Sequence, residues 1–94
     1  MSTFEDDVEE IVRELVKVMV AKQHDYGPLN ISQAPGGPIN GLLVRMNDKM
    51  ARLVNLWYAK TSKPKNESLE DSLIDLANYS VIALMVMRDK WPSK

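Results

Sequence analysis

Apolar residues recur at helical spacing in three stretches of this chain. Val8, Ile11, Val12, Leu15, Val18 and Met19 form one stripe, which predicts a helix over about 8–25. Continued one turn further, the stripe reaches Lys22 and Tyr26, with Asp25 at its edge, before Gly27-Pro28 ends the helix. A second stripe of Leu42, Met46, Lys49, Leu53, Leu56 and Trp57 predicts a helix over about 40–59. A third helix is predicted over about 68–90, with Leu69, Leu73, Leu76, Ser80, Ala83 and Met87 as its core stripe. Beyond Leu76 this helix is apolar nearly all round, and such a helix has to be covered on all sides. A second copy packing on Ile74, Val81 and Met85 would supply that cover. No strand pattern is present. The predicted fold is therefore all-α, a single domain over 1–94 with three main helices, completed by oligomerisation. Residues 27–39 are rich in glycine and proline and form a long loop, either a lid over a site or a plain connector. Thr61 to Asn66, with Pro64, is a short polar link.

Two lysines interrupt these apolar stripes. Lys22 and Lys49 sit where a core residue is expected, and lysine is almost never fully buried unless it is paired. Each either snorkels along the core or points into a pocket. Arg45 and Arg52 flank Lys49 along one helical edge, an arrangement suited to pairing with acids or gripping phosphate. The acids are concentrated at the start of the third helix, as Glu67, Glu70, Asp71 and Asp75. Ser68 as N-cap, Asp71 at N3 and the helix dipole account for the first three. They do not account for Asp75, which lies about two turns in, where the dipole effect has faded. Asp71 and Asp75 are one turn apart and repel, so a cation is expected beside them. A divalent metal and an Arg or Lys from another helix are the two candidates, and spacing alone favours the salt bridge.

Composition narrows the class of chemistry. The chain has 94 residues, no cysteine and a single histidine, which removes disulfides, thiolate catalysis and a histidine-rich zinc site. A net charge of -1 gives no general pull towards nucleic acid, so duplex binding is not expected. The acidic amino-terminal end does not read as a signal peptide, and no apolar run spans a bilayer. The expectation is a cytoplasmic protein with no membrane partner.

Three segments together carry a resemblance: Lys22-x-x-Asp25-Tyr26-Gly27-Pro28, then Arg45-x-x-Asp48-Lys49-x-x-Arg52-Leu53, then Glu67-x-x-x-Asp71-x-x-x-Asp75-Leu76-Ala77-Asn78-Tyr79. Over roughly Val8 to Arg88 the chain resembles the nucleotide-modification-associated domain family of phage and bacteria. It is also similar to the wider MazG-like all-alpha nucleoside triphosphate pyrophosphatases. That resemblance implies a MazG-like bundle completed by another subunit, a homodimer or higher oligomer, in the host cytoplasm if phage-encoded. It implies a nucleotide as the small-molecule partner and Mg²⁺, or Mn²⁺, as the cofactor. On this reading Glu67, Asp71 and Asp75 would hold the metal, and Asp71, Asp75 and Lys49 would carry the chemistry that splits a triphosphate into a monophosphate and pyrophosphate. Lys22, Asp25, Tyr26, Arg45, Lys49, Arg52 and Asn78 would bind the substrate. The earlier acidic pattern of the pyrophosphatases is not present in that form, since Glu9-Glu10 is followed by Glu14. A non-catalytic nucleotide binder and a structural interaction bundle therefore stand as alternatives.

Overall fold

A computed structural model describes residues 1–59 and 68–93. In chain order the helices are α1 (Phe4–Tyr26), α2 (Leu29–Ser32), α3 (Pro38–Ala59) and α4 (Leu69–Met87), with no strand among the described residues. The link from Thr61 to Asn66 and the acid Glu67 lie outside the described residues. No described helix is long and apolar enough to cross a membrane.

Caps set the ends of these helices. Thr3 and Asp6 form a reciprocal capping box, in which each side chain accepts the other's backbone N–H at 3.1 Å. This starts α1 at Phe4, a turn earlier than its apolar stripe. Ser68 and Asp71 repeat the device at α4, at 3.0 and 3.2 Å, as the sequence predicts. α3 begins at Pro38, two residues early, because the first turn of a helix needs no N–H from proline. α4 stops at Met87, short of residue 90. The N–H of Lys90 bonds to the carbonyl of Met85 and that of Asp89 to Val86, with Asp89 in the left-handed region at φ 53°. This reversal brings Trp91 back to the amino-terminal half, where its Nε1 donates to the carbonyl of Pro28 at 3.1 Å.

The core is small. Ile31 of α2, Leu42 of α3 and Ile82 of α4 are its buried centre, with Met19, Tyr79 and Trp91 packed around them. Residues 27–39 are thus part of the core, and they contain a helical turn. Arg45 donates to the carbonyl of Asn30 and Asn40 to that of Pro35, which ties the segment to α3.

Two predicted stripes are corrected. α4 buries Ser72, Asp75, Asn78 and Ile82, while Leu73, Ser80 and Met87 of the predicted core stripe face outward. Its polar face turns inward because that is where partners for buried polar groups stand, on α1 and α3. On α1 no residue is buried, and Val8, Ile11 and Val12 are exposed. Ile82 belongs to this chain's own core, whereas Val81 is exposed and Ile74 and Met85 are half-buried.

Gly41 lets the loop approach α3. A Cβ built there would lie 2.5 Å from the Cβ of Ala34. Gly41→Ala gains helix propensity of about 1 kcal/mol, but overpacking costs about 1–3 kcal/mol. The expected result is a lower urea midpoint at unchanged slope. A raised midpoint would show that Ala34 moves aside freely.

Candidate functional site

The ends of α1 and α2, the middle of α3 and α4, and Trp91 surround an open cleft of about 430 Å³. Asp75 sits at its base, with a side chain only 10% exposed. Lys22 approaches from α1 and donates to Oδ1 at 2.6 Å, while Lys49 approaches from α3 and pairs with Oδ2 at 3.0 Å. Both lysines that interrupt the apolar stripes thus converge on one carboxylate. Burial alone would raise the Asp75 pKa. The hydrogen bonds and charges of Lys22 and Lys49 outweigh it and hold the group below its ordinary value.

The second polar anchor is Asn78, on the turn of α4 that follows Asp75. It is buried, lines the cleft, and donates through Nδ2 to the Leu15 carbonyl of α1 at 3.0 Å. Among the described residues its Oδ1 is buried with no hydrogen-bond partner. A polar atom in that state is costly unless something donates to it. Arg45 lines the cleft from α3, one turn before Lys49, and aromatic faces come from Tyr26, Tyr79 and Trp91.

Six residues singled out in the sequence therefore meet here: Lys22, Tyr26, Arg45, Lys49, Asp75 and Asn78. The others do not line the cleft. Asp25 is exposed at the end of α1, and Arg52 lies farther along α3. Asp71 is exposed and serves the α4 cap, so it does not share the inward face of Asp75. Glu67 lies outside the described residues. Among the described residues no three His, Cys, Asp or Glu side chains are grouped so as to hold a metal ion. The cation partners of Asp75 are lysines from two other helices, in line with the salt-bridge expectation. Gln23, Asn30 and Trp91 also line the cleft, and no sequence signal marked them. Asn30 lies in the glycine- and proline-rich segment, and Trp91 enters only through the reversal after α4.

The sequence model of the family described as nucleotide modification associated domain 1 matches residues 22–87. The matched span begins at Lys22 and contains every residue lining the cleft except Met19 and Trp91. No curated protein and no solved structure matches the chain. The match covers well over half of the sequence, and the chain belongs to this family.

Proposed function

We propose that this member of the nucleotide modification associated domain 1 family binds a phosphorylated nucleotide in the cleft between α1, α3 and α4. The observation that carries the reading is the charge of the cleft. Among the described residues, the cleft lining holds Lys22, Arg45 and Lys49 and a single carboxylate, Asp75, an excess of two positive charges on a chain of net charge -1. A concave site with such an excess concentrates anions. An ammonium has three donors, so Lys22, bonded to Asp75, still offers hydrogens to a phosphate oxygen. Asp75 then acts as a positioning residue that holds two flexible side chains where the phosphates arrive. Tyr26 and Trp91 offer faces on which a base stacks, and Asn78 Oδ1 offers an acceptor to a base or sugar donor.

The likeness to MazG-like pyrophosphatases carries a finer reading, Mg²⁺- or Mn²⁺-dependent release of pyrophosphate. The donor set around Asp75 suits it less well. Both carboxylate oxygens are bonded to lysines, and Asp71 is turned to its own cap. Magnesium binds through a few carboxylates together with substrate phosphates, and in the cleft only one described carboxylate is on offer. Binding without hydrolysis is the reading we favour.

Trp91 allows a direct test. The chain has two tryptophans, so Trp57→Phe leaves Trp91 as the reporter. Titration with ribo- and deoxyribonucleotides is expected to change its fluorescence saturably. Binding should tighten with phosphate number, weaken with added salt and ignore a chelator. Metal-dependent pyrophosphate release, abolished by the chelator, would move the assignment to hydrolysis. Absence of saturable binding by any nucleotide would overturn the reading.

A further inference from the structure

We infer that Trp91 is the specificity-determining residue of the cleft, and that its fixed indole face makes the cleft favour purine nucleotides over pyrimidine ones, given the nucleotide-binding reading on which this rests. Trp91 lies beyond residue 87, where the family match ends, yet it lines the cleft. Two contacts hold its ring. It packs against the buried centre formed by Ile31, Leu42 and Ile82, and its Nε1 donates to the carbonyl of Pro28 at 3.1 Å.

The tether decides what the ring offers a ligand. An indole has a single hydrogen-bond donor and no acceptor, and here that donor is used within the chain. What the cleft receives from Trp91 is therefore a π surface with no hydrogen bond to give. Such a surface suits a flat aromatic ring and does nothing comparable for a phosphate. Stacking grows with the ring area laid down, so a two-ring purine gains more than a one-ring pyrimidine. Packing and tether already fix the indole, so little side-chain freedom is lost when a base lands on it. Tyr26, at 69% exposure, still has that freedom to lose.

The ring also stands near the cations. Lys22 and Tyr26 are one turn apart on α1, about 6 Å, and Pro28, which holds the indole, follows closely on Tyr26. The cationic and aromatic parts of the cleft thus adjoin, as phosphate and base do in one nucleotide. The turn after α4 sets the ring in this place. Asp89 is in the left-handed region at φ 53°, and the N–H of Lys90 bonds to the Met85 carbonyl at 2.8 Å, which turns the chain back towards Pro28. Asp and Gly tolerate that backbone conformation, whereas a β-branched residue is strained in it. Asp89 is exposed and does not line the cleft, so it acts as a positioning residue for Trp91.

Calorimetric titration of the full chain, with a chelator present, compares adenosine triphosphate, cytidine triphosphate and inorganic tripolyphosphate, which has the phosphates and no base. The wild type is expected to bind the adenine nucleotide most tightly, the cytosine nucleotide next and tripolyphosphate least. Trp91→Leu should weaken the adenine nucleotide by about five- to a hundredfold, the range for loss of one stacked base. Tripolyphosphate should hold within about twofold, since no stacking partner is lost, and the preference for adenine over cytosine should vanish. Where Trp91→Leu loosens the core, Asp89 supplies a test away from it. Asp89→Val should reproduce the selective loss, and Asp89→Gly, which removes the same charge but keeps the turn, should bind as the wild type does. Equal losses for nucleotide and tripolyphosphate in Trp91→Leu and Asp89→Val would make Trp91 a structural residue and overturn the inference. Wild-type protein that binds tripolyphosphate as tightly as the adenine nucleotide, or the cytosine nucleotide more tightly, also overturns it, while the anion-binding cleft stands. Absence of binding by tripolyphosphate and by every nucleotide removes the cleft reading, and the inference with it.

Discussion

Asp75→Asn is expected to cost about 2–4 kcal/mol of stability at neutral pH, because it removes the carboxylate that two lysines from other helices share in a largely buried ion pair. The two lysines do not contribute equally. Lys49 has a side chain only 19% exposed, so it keeps little water once Asp75 is neutral. Lys22 is 52% exposed and can turn to solvent, and its share is discounted accordingly. The effect has a definite pH dependence. The Asp75 pKa is lower in the folded protein than in the unfolded chain. Its stabilisation is therefore fully present above the unfolded value, about 4, and is lost as the pH falls through the lower, folded value. Urea unfolding of wild type and variant should show a wide gap at neutral pH that closes in acid. A gap that persists at the acid end would assign the loss to packing. Nucleotide binding adds a second readout with opposing signs. If Asp75 merely repelled phosphate, Asn would tighten binding. If it positions Lys22 and Lys49, Asn loosens it, and loosening is expected here.

Much of this site was legible from residues that break a local rule. A lysine in an apolar stripe and an aspartate two turns into a helix are each unexplained by their own element. Lys22, Lys49 and Asp75 each carry such an anomaly, and the three resolve one another in space. The caps at Thr3 and Ser68 were legible for a simpler reason, since both partners lie within four residues. Periodicity misassigned the two faces of α4. It reports where apolar side chains gather, but it does not say whether they meet the rest of the chain or another molecule. Leu73, Leu84 and Met87 look outward, and Ser72, Asp75 and Asn78 look inward. Trp91 was not legible, because its place depends on a turn at Asp89 and a hydrogen bond to a residue 63 positions away. Asp71 read as a partner of Asp75 because the two are one turn apart, yet the nearer backbone N–H of Ser68 holds its carboxylate.

Lys49→Ala is expected to weaken nucleotide affinity by about tenfold to a hundredfold, since a charge-assisted hydrogen bond contributes about 1.5–3 kcal/mol. Lys49 stands in the half-buried middle of α3, where water screens a phosphate contact least. Lys22, at the exposed end of α1, should give a smaller loss on the same substitution. Arg52 belongs to the same helix but does not line the cleft. Arg52→Ala should therefore leave affinity nearly unchanged, although it removes an equal charge from the chain. The comparison separates a phosphate contact from a general change in net charge. Because Lys49→Ala also leaves Asp75 with Lys22 as its remaining lysine partner, stability must be followed in parallel, and affinity read where each variant is fully folded. Titrations at two salt concentrations complete the test. A lost phosphate contact makes the salt dependence shallower as well as the binding weaker. Equal losses for Lys49→Ala and Arg52→Ala, with parallel salt dependence, would show that the cleft cations attract the ligand without touching it.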